Sequence, residues 1–73
     1  MNTTTTVRAN ICNVTSGDTL LVDPSGAQVL VEVLRTEQVN HRAQTLVIVY
    51  RESDTGLTRE WLVSFSLLVT FVV

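Results

Sequence analysis

A chain of 73 residues with a formal net charge of −2 makes one domain at most, and a domain this small buries only about 60–65% of the surface its unfolded form exposes. With 45% hydrophobic and 16% charged residues it is not a disordered polymer, and five arginines without a single lysine, against seven carboxylates, supply no broad basic field for neutralising phosphates. Cys12 is the only cysteine and His41 the only histidine, which excludes an intrachain disulfide and a four-ligand zinc site; no cofactor or metal is expected, and association with other chains is the aid left to a small core.

The opening "MNTTTTVRAN" has no apolar period, so residues 1–8 are expected to be a flexible Thr-rich arm and residues 9–73 the single folded domain. It also lacks the apolar stretch of an export signal, and cytoplasmic residence is the expectation. Ser16-Gly17-Asp18 predicts a turn into the strand "TLLVD", where Leu20 and Val22 alternate with Leu21 at the strand period of two. "DPSG" (23–26) carries Asp, Pro and Gly where a type I turn favours them, and a tight hairpin is predicted there.

The β-branched run "AQVLVEVLRTEQV" (27–39) predicts a long strand able to bend. "NHRAQ" (40–44) follows as a connection in which Asn40 and His41 would accept left-handed backbone. In "TLVIVYRES" (45–53), Leu46, Ile48 and Tyr50 face one way and Val47 and Val49 the other, so a strand covered on both faces is expected. Ser53-Asp54-Thr55-Gly56 predicts a turn into "LTREWLVSF", "FSLL" a short 3₁₀ turn, and "VTFVV" the last strand. The C-terminal apolar run, "WLVSFSLLVTFVV", is 13 residues long, short of the ~20 that a membrane-spanning helix needs, and no membrane role is expected.

Five short strands with a turn about every ten residues predict an all-β fold, a small five-stranded barrel or sandwich. "GDTLLV" opening the first long strand, the long second strand, "DTG" turning into "REWLVS", and "FSLL" before the closing strand resemble the SH3-like small-barrel superfamily. Short chains with an early "GD" and a Val-rich closing strand are similar to small actinobacterial and actinobacteriophage proteins, in keeping with arginine used without lysine. The resemblance implies a binding or assembly module. It departs from polyproline-binding SH3 domains, whose "ALYDY"-like motif and tandem Trp are missing, and Tyr50, Trp61, Phe65 and Phe71 are expected on different strands and faces rather than in one methyl-lysine cage.

No phosphate loop, Ser-His-Asp arrangement or paired-histidine motif is visible, so catalysis is not expected. Cys12, flanked by Ile11 and Asn13, has no neighbouring cation to activate it and is expected to be a small buried thiol. Tyr50, Arg51, Arg59 and Trp61 are the candidate protein-binding residues, an indole being a frequent anchor of interfaces. Arg35, Arg42, Arg51 and Arg59 would carry the alternative, nucleic-acid binding, although Glu32, Glu37, Glu52 and Glu60 are interleaved with them as if for cross-strand pairing. The surplus of apolar residues on both strand faces (Leu30, Leu34, Val47, Val49, Leu68, Phe71 and Val72) predicts side chains left outside a small core and a partner to cover them. The expected partners are a second copy of the chain and a host or virion protein; inhibition of a host enzyme is a further, weaker reading.

Overall fold

The computed structural model describes residues 5–22 and 29–73. The fold is all-β: one antiparallel sheet of six strands, β1 (Thr6–Asn10), β2 (Thr19–Val22), β3 (Val29–Asn40), β4 (Thr45–Glu52), β5 (Thr58–Ser64) and β6 (Leu68–Val72), in the order β1-β6-β2-β3-β4-β5. Six strands replace the five expected, and the sheet is not closed, since β1 and β5 each pair on one side only among the described residues. The sixth strand comes from the presumed arm. Thr6–Arg8 belong to β1, which pairs with β6 from Thr6↔Val72 to Asn10↔Leu68, because Thr and Val favour extended backbone even where little of their surface is buried.

A one-turn 3₁₀ helix, Ile11–Asn13, joins β1 to β2, capped by the Asn10 side chain, whose Oδ1 accepts from the Cys12 N–H at 2.8 Å. It sends Ile11 fully into the core. At "FSLL", the expected 3₁₀ element is a plain turn closed by Leu67 N–H to the Ser64 carbonyl at 3.1 Å. The expected "DPSG" hairpin lies outside the described residues.

β3 is bent by two register shifts against β4, one between Val33 and Arg35 and one between Glu37 and Asn40. An extra residue on one strand of an antiparallel pair raises local twist and turns the strand. The first irregularity leaves Leu34 without a registered partner; its carbonyl accepts the Ser16 hydroxyl at 2.8 Å. The second holds Gln38 at φ 52°. Left-handed backbone thus falls on Gln38 and Gln44, not on Asn40 and His41; Asn40 instead accepts the Ala43 N–H through its side chain at 3.0 Å.

The predicted turn at Ser53–Gly56 is present: the Gly56 N–H meets the Glu52 carbonyl at 2.8 Å and Gly56 sits at φ 73°, where a side chain would be strained. The core lies on one face of the bent sheet and unites Ile11, Leu20, Val31, Val33, Ile48 and Val63, among others. Tyr50 is inside this cluster, and Trp61, Phe65 and Phe71 pack against it. The four aromatics therefore share a face, contrary to expectation, because the Ile48↔Trp61 register puts the odd residues of β5 beside the even residues of β4. Val47 and Val49, expected to stay partly outside, are also buried: each has registered neighbours on both sides, Glu37 and Leu62 for Val47, Arg35 and Glu60 for Val49. Leu30 and Leu68 are exposed as anticipated, and Leu34, Phe71 and Val72 are half-buried. No helix among the described residues is long and apolar enough to cross a membrane.

Candidate functional site

The hairpin β4–β5 holds the candidate protein-binding residues, and the register separates their fates. Tyr50 is 3% exposed and belongs to the core. Burial pushes its phenol above the usual range, the Glu52 carboxylate adds to that, and the Arg59 guanidinium opposes it. It is not available to a partner. Arg51 lies opposite Glu32 across β3–β4 and is paired with it at 2.6 Å; Arg59 holds Glu52 at 3.1 Å, and Arg35 pairs with Glu37 along its own strand at 2.9 Å. Three of the four arginines considered for nucleic acid are therefore engaged with carboxylates, leaving Arg42 in the exposed turn after β3. The exposed pairs Arg51–Glu32 and Arg35–Glu37 contribute about 0.2–1 kcal/mol each to stability and mainly cancel charge.

Glu52 is held by two side chains of the hairpin. The Thr55 hydroxyl donates to its Oε1 at 2.8 Å and Arg59 to its Oε2. Together they hold its carboxyl below the usual range, the Thr55 bond being the largest cause, while partial burial works against them. Its role is to brace the turn.

Trp61 is half-buried and lines an open groove between the two ends of the sheet. On one side of the groove stand Trp61, Leu62 and Ser64 of β5, on the other Arg8 of β1 and Leu68 of β6; a volume of about 560 Å³ lies between them. An adjoining volume of about 320 Å³ continues it past Trp61 to Val69 and Thr70. In a flat sheet β1 and β5 would be five strand spacings apart, roughly 24 Å. Arg8 and Trp61 border one groove only because the sheet curls and brings its two unpaired edges toward each other. Its lining is mixed: Leu62 and Leu68, 67% and 51% exposed, stand beside the polar Ser64, Ser66 and Thr70, and among the described residues the Arg8 guanidinium is its one cation.

Sequence reasoning found Trp61 and the exposed Leu68 but missed Arg8 and Leu62. Arg8 was hidden by its polar surroundings, whereas Leu62 could have been found from "EWLVS", where apolar residues occupy both strand parities.

A second, smaller cleft of about 260 Å³ gathers Cys12, Val39, His41 and Phe65 at the far end of β3. Cys12 is exposed rather than buried, its Sγ 3.6 Å from the Phe65 carbonyl. His41 meets the Phe65 ring edge-on, centroids 5.9 Å apart at 73°. Among the described residues no group of three or more His, Cys, Asp or Glu gathers as a metal site would require.

Fold and groove define the class: a small open antiparallel β-sheet, curled upon itself, with a seam between its edges. Comparison with known proteins takes it no further, for no family model, no curated protein and no solved structure matches the chain.

Proposed function

We propose that this chain is a non-enzymatic β module that associates with itself and engages a protein partner through the seam around Trp61. The observation that carries the reading is the exposure of Leu62 and Leu68 on either side of a half-buried indole, next to a strand edge without a partner. Apolar side chains gathered in one groove stabilise a complex when covered, and an indole that already has one face packed loses little freedom on binding. The pairing of the closing strand with the first long strand, β6 with β2, supports reading the sheet as an open variant of an SH3-like small barrel with β1 added outside. An accessory or structural role in a bacterial cell or a phage particle fits such a module.

Nucleic-acid binding is the poorer reading, since Arg35, Arg51 and Arg59 are held by Glu37, Glu32 and Glu52. Light scattering coupled to size-exclusion chromatography tests self-association: a multiple of 8.1 kDa at high micromolar concentration is expected, and a clean monomer would overturn it. Trp61→Ala tests the partner surface, with loss of a co-purifying host or virion protein expected and unchanged capture counting against the groove.

A further inference from the structure

The β4–β5 ladder reveals which backbone groups of β5 are free. The Glu52 N–H bonds to the Leu57 carbonyl at 2.9 Å at one end of the hairpin and the Phe65 N–H to the Gln44 carbonyl at 2.8 Å at the other, with an unbroken register between them. Antiparallel pairs alternate between residues that exchange hydrogen bonds and residues that do not. Between those two fixed ends, Arg59, Trp61 and Val63 are the residues bonded to β4. Thr58, Glu60, Leu62 and Ser64 turn their N–H and C=O groups outward, to an edge that no described strand pairs. One outward acceptor, the Ser64 carbonyl, takes the Leu67 N–H. No proline or register shift interrupts β5, so the edge can template another strand.

We infer that β5 pairs antiparallel with β5 of a second copy across a two-fold axis at Leu62. This deepens the self-association proposed above and rests on it. The side chains of the strand select this occupant and this register. A two-fold perpendicular to the sheet joins like faces, so it must pass through a residue. Centred on Glu60, it would set two carboxylates directly opposite each other, which is destabilising. Centred on Trp61, it would put Glu60 against Leu62.

Centred on Leu62, the axis brings the two most exposed leucines of the pair together, and Glu60 falls opposite the partner's Ser64. The Ser64 hydroxyl lies 3.0 Å from that of Ser66, with either able to donate, so it is free to turn and donate to the carboxylate. On the other face Trp61 comes beside the partner's Val63, continuing the core across the junction. Glu60 thus excludes a competing register while finding a partner in the chosen one.

Cross-linking in a Cys12→Ser background tests the register. Leu62→Cys would stand opposite its own copy at a Cα separation of about 5.5 Å, within the roughly 4.4–6.8 Å that a disulfide spans. Thr58→Cys would be displaced from its copy by eight residues, about 27 Å along the strand. Under mild oxidation the Leu62→Cys variant is expected to give at least about tenfold more covalent dimer than Thr58→Cys. Leu62→Pro deletes an N–H that β4 does not use, and Leu62→Glu sets like charges at the axis; each is expected to yield a monomer with unchanged circular dichroism. A dimer that survives Leu62→Glu, or that cross-links equally through Thr58→Cys, overturns the β5 junction and leaves self-association standing. A wild-type monomer at high micromolar concentration overturns both.

Discussion

β4 and β5 are neighbours in one hairpin, and both carry apolar residues on both faces. In β4 the outward-facing Val47 and Val49 are 7% and 1% exposed, whereas in β5 the equivalent Leu62 is 67% exposed. Side-chain character does not account for the contrast. A strand with partners on both sides has its side chains walled in by cross-strand neighbours, while an edge strand has a wall on one side only. In this hairpin the difference follows position in the sheet, and on β5 the surplus apolar residue becomes surface available to another molecule.

Truncation within β4 should give the largest effect. Ile48→Ala removes a fully buried side chain and is expected to cost about 2–5 kcal/mol, with Val49→Ala, on the opposite face, costing somewhat less. Urea unfolding followed by circular dichroism measures both. If Val49→Ala proves neutral, the outer face of β4 is not packed and the contrast with β5 fails.

The turn that joins the two strands comes next. A Cβ at Gly56 would meet nothing within 4 Å, yet the residue sits at φ +73°. Gly56→Ala is therefore expected to cost about 1–2 kcal/mol through backbone strain alone. A smaller loss in the same unfolding measurement would mean that the turn relaxes without disturbing the register of β5.

How far the sequence carried is clearest in this hairpin. The two apolar faces of β4 were legible because alternation with β-branched residues encodes a strand; the burial of Val47 and Val49 was not, since both were counted among the side chains left outside a small core. The Ser53–Gly56 turn was legible because glycine is needed where φ is positive. The seam was not. Arg8 and Trp61 are 53 positions apart, and what brings them to one groove is the curl imposed by the irregularities in β3, whose residues, Leu34 and Gln38, carry no bulge signature such as glycine. The extra strand β1 was hidden for another reason: polarity in "TVRAN" argued against order, although an edge strand needs little apolar surface once a neighbour supplies its hydrogen bonds.

Acid titration probes the brace between the strands. Because Thr55 and Arg59 hold the Glu52 carboxyl below its ordinary range, its contribution is fully present above the unfolded carboxylate value of roughly 4.3 and is lost as pH falls through the lower folded value. Wild-type protein and Glu52→Gln should differ in denaturation midpoint at neutral pH and converge under acid. A constant offset would mean that the side chain acts by packing. Tyr50 has the opposite dependence: its phenol is raised by burial and by Glu52, so folding favours the neutral form, and stability is lost as pH rises from the ordinary tyrosine value, about 10, through the folded one. Tyrosinate absorbance during alkaline titration follows that loss.

The smallest effect on the fold is expected at Leu62. A side chain this exposed contributes little to the isolated fold, so Leu62→Ser should shift stability by no more than about 0.5 kcal/mol in dilute solution. Its consequence appears with concentration. Association of folded chains raises the unfolding midpoint by mass action; the wild-type midpoint should therefore climb with protein concentration, and that of Leu62→Ser should stay flat. If both climb together, association uses another surface, with the β1 edge and its exposed Val7 the next place to look. If neither climbs while Leu62→Ser is itself strongly destabilised, Leu62 belongs to the core, and the distinction between the central and the edge strand of this hairpin dissolves.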